Sequence, residues 1–221
     1  MKILPYPMVH IIENPVVQNR HDIVAAARDC YQSVSKGPNY DSRLLEQCAK
    51  NDHSVLEFST LHVKFFCDRG VSHELVRHRL ASYAQESTRY CNYSNDKFGN
   101  EITVVKPVKL DVGTEAYKIW ETSCKQAEAA YFELLDAGVA PETARSVLPN
   151  SLKTTINMRT NLREWRHVLT LRDSRKAQPD IRYMMHDVLL AIVDDYPEIF
   201  DDLFWNANKE IIEDFSNKRK A

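Results

Sequence analysis

Apolar residues recur at helical spacing over residues 21–31, where Ile23, Val24, Ala27 and Tyr31 share one side. The same spacing predicts a second helix over 41–50, with Leu44, Leu45 and Cys48 together. Over 55–67 the period changes to two, with Leu61, Val63 and Phe65 on one face among β-branched and aromatic neighbours, so this segment is expected to be a strand. Gly70 then precedes a short helix over about 71–79. Residues 80–97 are polar and aromatic without a clear period and read as an ordered loop or irregular helix. The run ITVV inside 101–107 reads as another strand.

The longest regular pattern covers 114–137. Tyr117, Trp120, Cys124, Ala127, Tyr131 and Leu134 recur there at steps of three and four, and Gly138 is placed to end the helix. Pro141 opens a short helix that Pro149 closes. Thr154, Ile156 and Met158 alternate with Lys153, Thr155, Asn157 and Arg159, predicting a strand over 151–160. Asn161 with Glu164 three residues on forms a capping box for a helix to about 171. Pro179 starts a further helix with Ile181, Met184, Met185, Val188, Leu189 and Ile192 on one face, and the last twenty-odd residues read as a more polar helix. No repeat, low-complexity tract or linker interrupts residues 1–221, which read as a single domain. Helices with a few strands make its class α/β or α+β.

Length and composition narrow the functions. A chain of 221 residues with 43% hydrophobic and 27% charged residues is that of an ordinary globular protein. The formal net charge of −2 supplies no global field for nucleic acid or an anionic membrane, so neither is an expected partner. No stretch approaches the roughly 20 apolar residues of a membrane span, and the opening MKILPYPMVHIIENP makes a poor signal peptide. Five scattered cysteines without a C-x-x-C pair suggest neither a disulfide framework nor a cysteine zinc site, which points to the cytoplasm. Five isolated glycines leave no room for G-x-G-x-x-G or G-x-x-x-x-G-K. A nucleotide bound here is therefore held by side chains, and arginine suits phosphate best.

Arginine is concentrated in one place. Residues 77–89 contain Arg77, His78, Arg79, Ser82, Ser87 and Arg89. If 71–79 is helical, Arg77, His78 and Arg79 fan over about 200° and can serve two ligands from one helix end. A solvated helix terminus, where cations favour the dipole, is the plain alternative. His73-Glu74 resembles the start of H-E-x-x-H, but the next histidine is His78, about 140° away on a helix, so no metal site is expected. Arginines interleaved with Tyr83, Tyr90 and Tyr93 also fit an RNA-binding surface, against which the acidic balance argues.

The segment fits R-H-R-x-x-S-x-x-x-x-S-x-R at all six fixed positions and so resembles the signature of flavin-dependent thymidylate synthases. The resemblance extends to His53-Ser54-Val55-Leu56-Glu57, to Ala144-Arg145-Ser146-Val147-Leu148-Pro149, to Asn161-Leu162-Arg163 and to Leu171-Arg172. It implies a single α+β domain with a small, mostly antiparallel sheet and flanking helices, assembled as a homotetramer with its sites at subunit interfaces. It implies FAD as cofactor, with NADPH and methylenetetrahydrofolate as co-substrates in the reductive methylation of dUMP to dTMP.

Residue by residue, the resemblance implies that Ser54, Arg77, His78, Arg79, Gln85, Asn161, Arg163 and His167 hold FAD. It assigns Glu74, Arg77, Gln85, Glu86, Ser87, Thr88, Arg89, Arg145 and Arg172 to dUMP. Arg172 is the position set against the uracil ring, where a guanidinium stabilises negative charge on the activated pyrimidine. Ser87 is the other catalytic candidate, but a serine nucleophile needs a base and none is evident, so substrate binding comes first. From residue type alone, Asn161 is equally a helix cap, His167 a surface or core histidine and Arg172 a helix-end arginine. The chain departs from the family pattern at Asp52, where a histidine is frequent, at Ala84-Gln85, where Asn-Glu is common, and at His167, where others have asparagine. A non-catalytic phosphate or RNA binder and a structural oligomer remain the alternatives from other classes.

Overall fold

A computed structural model of the protein describes residues 1–95 and 99–218, with the side chains of the last helix described as far as residue 208. Positions 96 and 97 of the expected loop, and 219–221 of the expected C-terminal helix, lie outside the described residues. The chain forms two compact units. Unit 1 comprises Met1–Met8, Phe65–Arg77 and Tyr83–Asn157; unit 2 comprises Val9–Lys64, His78–Ser82 and the chain from Met158 onward.

Four strands, β2 (Met8–Glu13), β3 (Leu61–Asp68), β6 (Lys153–Thr160) and β4 (Ser82–Gln85), make one sheet in the order β2-β3-β6-β4. The period-two pattern is realised in burial: Leu61, Val63, Phe65 and Cys67 of β3 are buried, as are Thr154, Ile156, Met158 and Thr160 of β6. A second, two-stranded sheet pairs β1 (Lys2–Leu4) in parallel with β5 (Thr103–Val105), setting Lys2 opposite Thr103.

Within unit 1, α3 (Arg69–Leu75) is capped by Asp68, whose carboxylate accepts the Val71 N–H. The long α4 (Glu115–Asp136) is capped by Thr114, and Gly138 ends it at φ +83, a backbone conformation that favours glycine. A one-turn α5 (Pro141–Ala144) runs into a 3₁₀ turn at Arg145–Val147. Cys124 and Tyr131 of α4 pack with Ile102, Val104, Ala144 and Leu152 as this unit's core.

Unit 2 holds α1 (Val16–Cys30), α2 (Pro38–Lys50), a 3₁₀ turn at Ser54–Glu57, α6 (Leu162–Arg172), α7 (Pro179–Ile192) and α8 (Pro197–Lys218). Ile23, Leu45, Leu56, Trp165, Met184, Leu189 and Phe200 are all buried. Asn19 is the polar pin of this core, donating to the Thr60 carbonyl at 2.8 Å and to the Tyr196 hydroxyl at 2.7 Å. No described helix is long and apolar enough to cross a membrane.

The observed elements correct the expectations at several places. Helix α3 stops at Leu75, so Arg77, His78 and Arg79 lie on a turn and irregular chain, and the 200° fan does not exist. The helical angle between His73 and His78 lapses with it. Residues 55–57 form a 3₁₀ turn instead of the first part of a strand, because Val55 and Leu56 are adjacent and both buried, which a pleated strand does not allow on one face. The segment expected as a loop contains the short strand β4. Strands β1 and β2 were not foreseen, and neither was the parallel pairing of β1 with β5.

Candidate active site

The expected ligand residues fall into two groups, one in each unit. In unit 1, β4 delivers Gln85 with its amide turned inward, donating to Ser72 Oγ at 2.9 Å and Thr154 Oγ1 at 3.1 Å. The next residue, Glu86, extends the sheet through its N–H to the Thr155 carbonyl at 2.8 Å. Its carboxylate accepts from Lys153 Nζ at 2.7 Å and from the Tyr93 hydroxyl at 3.3 Å. Burial, reinforced by the Glu86 charge, pushes the Tyr93 phenol well above its ordinary range, so it stays a donor. Gln85 and Glu86 thus have internal partners that position the turn after them.

That turn carries Ser87, Thr88 and Arg89. The Ser87 hydroxyl accepts the Arg89 N–H at 3.3 Å and has no side-chain partner among the described residues. Thr88 is buried, and its hydroxyl accepts from Arg145 Nη1 at 3.1 Å. Arg145 Nε donates to the Glu142 carbonyl at 3.0 Å, while Arg89 Nε donates to the Glu142 carboxylate at 2.8 Å. Two arginines far apart in sequence therefore converge on Glu142, both exposed, with Arg89 lying 5.4 Å from the Tyr90 ring centre. Glu74, half-buried near the end of α3, and the exposed Arg77 complete this unit's share of the expected residues.

In unit 2 the centre is His78, buried at 6% exposure. Arg172, the last residue of α6, donates from Nε to His78 Nε2 at 3.0 Å. Because Nε2 accepts, the imidazole proton sits on Nδ1, which lies 3.9 Å from Glu164. The His167 ring meets His78 edge-on, with centroids 6.1 Å apart. Burial, then the Arg172 and His167 charges, hold the His78 pKa down to about 4. Glu164 is raised by its own burial. A charged guanidinium is thus held against a neutral ring.

Donor atoms of His78, Glu164 and His167 all lie within 4.8 Å of one another, a spacing that a metal ion can use. A neutral imidazole has one lone pair, however, and Arg172 takes it. Binding a metal through Nδ1 would turn an Nε2 proton against the Arg172 donor, so this cluster suits an organic ligand better than a cation.

Arg163 meets Asp52 in a two-pronged pair at 3.1 and 3.0 Å and reaches Glu57 at 2.6 Å. The Arg163 hydrogen bonds hold the Asp52 carboxyl below its usual range. This pair ties α6 to both ends of the 3₁₀ turn that presents the exposed Ser54. Asn161 caps α6 by accepting the Glu164 N–H at 2.8 Å, leaving its amide protons for another acceptor. Arg79 and His167 are exposed.

Sequence reasoning missed Glu142, Lys153 and Tyr93 in unit 1, and the carboxylate partners Asp52 and Glu57 in unit 2. None stands in a motif that predicts its contact. Asp52 was visible only as a departure from a family pattern, and Glu164 only as half of a capping box.

Known proteins match along most of the chain. A flavin-dependent thymidylate synthase of Geobacter sulfurreducens is 33% identical, the match covering 81% of this chain and 80% of the relative. The protein of the same name from Mycolicibacterium gilvum is also 33% identical, covering 80% and 76%. Among solved structures, a UMP/dUMP methylase from Streptomyces cacaoi bound with 5-Br dUMP superposes with a TM-score of 0.76 over 91% of this chain and 96% of that one. At 20% identity that likeness speaks for the fold alone. Residues 15–198 match the family described as thymidylate synthase complementing protein, a span that takes in every expected ligand residue, and the chain belongs to that family.

Proposed function

We infer that this chain is a flavin-dependent thymidylate synthase that methylates dUMP to dTMP with methylenetetrahydrofolate as carbon donor and NADPH as reductant. The carrying observation is the bond between Arg172 and His78. It joins the residue expected against the pyrimidine to the central histidine of the signature, 94 positions away in sequence.

The residues fit FAD by their chemistry. Arg79 makes no hydrogen bond or ion pair among the described residues, Asn161 keeps two amide protons, and His78 offers a neutral ring in a buried setting. With Ser54, His167 and Arg77 these would hold the cofactor, while Arg163, engaged by two carboxylates, retains two of its five N–H groups for it. When bound, FAD reduced by NADPH supplies the hydride and mediates transfer of the one-carbon unit.

The protein's own groups supply binding and charge. Arg89 and Arg145, with Ser87 and Thr88 beside them, present a fork for the dUMP phosphate, and Glu142 holds both guanidiniums ready. Glu74, Gln85 and Glu86 set the frame around that fork. Arg172 offers positive charge to the developing pyrimidine anion, and the neutral His78 orients it without competing for that charge. Ser87 binds substrate and does not act as nucleophile, since its hydroxyl accepts the Arg89 N–H and meets no base among the described residues.

Three finer statements belong to the same reading. The family match runs through both units without a break, which supports one functional domain over 1–221. The exposure of Arg77, Arg79, Arg89 and Arg145 in the single chain supports a homotetramer with sites at subunit interfaces. Five free thiols support a cytoplasmic location.

The test is dTMP formation from dUMP with all co-substrates, alongside a visible spectrum before and after anaerobic NADPH. Arg172→Ala is expected to cut turnover by about 10²-fold or more with the flavin spectrum retained. Unchanged turnover sinks the role of Arg172, and a protein that takes up no flavin sinks the reading as a whole.

A further inference from the structure

In unit 1, β4 and the first residues of β6 present successive side chains to opposite faces. On one face Gln85 donates to Thr154 Oγ1; on the other Glu86 accepts from Lys153, the neighbour of Thr154, at 2.7 Å. Glu86 is held at each of its polar groups. Its N–H donates to the Thr155 carbonyl, its carbonyl accepts from Arg69 Nη1 at 3.4 Å, and its carboxylate accepts from Lys153 and the Tyr93 hydroxyl. The turn that follows hangs from this residue and is closed on itself, because the Ser87 carbonyl accepts the N–H groups of Tyr90 and Cys91 at 3.2 and 2.9 Å. The place of Glu86 therefore sets the place of Ser87, Thr88 and Arg89.

Charge makes the Lys153 contact more than a tether. A carboxylate one residue before Ser87 lies on the order of 10 Å from any anion held by Ser87 and Thr88, about a Debye length at ordinary ionic strength. Of the carboxylates near the phosphate fork, Glu142 is matched by Arg89, and Glu86 by Lys153. The Glu86 and Lys153 side chains are 17% and 23% exposed, so solvent screens them less than it screens a surface pair. A cavity of about 180 Å³ adjoins them, lined also by Cys91, Tyr93, Glu101 and Thr103, and among the described residues Lys153 is the one cation in that lining. Its removal leaves a half-buried Glu86 charge with a neutral phenol as the remaining donor to its carboxylate. Lys153 stands outside the six-residue signature and outside every segment that carries the family resemblance.

We propose that Lys153 is a positioning residue for the nucleotide: it fixes Glu86, and through it the Ser87–Arg89 turn, and cancels a carboxylate charge that would otherwise oppose the dianionic phosphate. Lys153 acts through Glu86 and does not itself contact the ligand. The inference rests on the proposed function in taking that ligand to be dUMP, and it makes Glu86 the link between β6 and the phosphate fork.

The experiment measures dUMP binding to the flavin-loaded protein by equilibrium dialysis, together with KM and kcat for dTMP formation. The variants are Lys153→Met, Lys153→Arg and a Lys153→Met/Glu86→Gln double variant, with melting temperatures and flavin spectra to show that each is folded and loaded. Lys153→Met, which keeps the length of the side chain without its charge, is expected to weaken dUMP about tenfold or more and to raise KM in step. Turnover at saturating dUMP is expected to stay within about threefold of native, and Lys153→Arg, which restores a cation, to bind dUMP within about threefold. The double variant removes the orphaned carboxylate and is expected to bind dUMP at least about threefold more tightly than Lys153→Met, a recovery that a merely structural lysine would not give. Native-like dUMP affinity in Lys153→Met overturns the proposal, as does a double variant no tighter than Lys153→Met or a loss that falls on kcat alone. Native protein that binds no dUMP would instead sink the functional reading, and with it the ligand assumed here.

Discussion

At the scale of single residues, the chemistry turns on which partners each side chain already has. Asn161 satisfies both of its readings, since its oxygen caps α6 and its amide protons remain to be used. Gln85 and Glu86 were legible as members of a substrate-binding run, but their inward bonds to Ser72, Thr154 and Lys153 were not, because no local rule pairs residues so far apart. His78 is the extreme case. The signature identified it, yet its neutrality arises from burial and from Arg172, which only the folded chain brings near. A histidine whose folded pKa lies at about 4, below its ordinary 6.5, takes up a proton more readily when unfolded. Its contribution is therefore intact above pH 6.5 and lost as pH falls through the window to about 4, on the order of 3 kcal/mol in all. Chemical denaturation between pH 7 and pH 4.5 is expected to show native stability falling more steeply than that of His78→Gln, whose amide oxygen can still accept from Arg172. Parallel curves would show that His78 is not buried neutral.

At the scale of elements, periodicity served best where one face packs against a core and failed where tertiary partners decide the ending. Helices α4 and α7 are bounded within a residue or so of their patterns because Thr114, Gly138 and Pro179 stop or start them locally. Helix α3 has no such marker. Its last helical bond runs from the Val76 N–H to the Ser72 carbonyl, a three-residue turn bond from Arg77 to Glu74 follows, and the Tyr83 hydroxyl claims the Leu75 carbonyl that would have continued the helix. Strands β1 and β2 escaped because Pro5 and Pro7 break the pattern between them. The end of α6 has its own anchor. Asp173 is buried one residue beyond Arg172, and its carboxylate meets His186 of α7 at 3.1 Å. The Asp173 hydrogen bond raises the His186 pKa against the opposing effect of burial. The sign is opposite to that of His78: this stability is full below about pH 6.5 and lost as pH rises through the folded pKa. His186→Asn is expected to cost on the order of 1 kcal/mol at pH 6 and markedly less at pH 8.5, read from denaturant midpoints. A cost that does not change with pH would leave only packing at this position.

At the scale of the whole molecule, the signature of six residues carried more information than composition or periodicity, since it named the family before any fold was known. What it did not reveal is that those six positions are divided between two units, with Arg77, Ser87 and Arg89 in one and His78, Arg79 and Ser82 in the other. That division follows from the chain path, which enters and leaves each unit repeatedly and which no sequence spacing records. Ligands of this size lose most of their surface to the protein when bound, yet Arg77, Arg79, Arg89 and Arg145 are all exposed. Val17, Ile119 and Trp205 are large apolar side chains left at 84%, 64% and 69% exposure, the kind of surface that a second copy covers. If other copies of the chain cover these arginines, as proposed, cofactor affinity and assembly are linked equilibria, and each strengthens the other. Sedimentation velocity recorded at protein and flavin wavelengths over a dilution series is expected to show bound flavin moving with the oligomer and lost from the monomer. Added FAD is expected to shift the oligomer's dissociation to lower protein concentration. A monomer that retains flavin as tightly as the oligomer would mean that one chain builds the whole site, and the interface assignment would then be wrong.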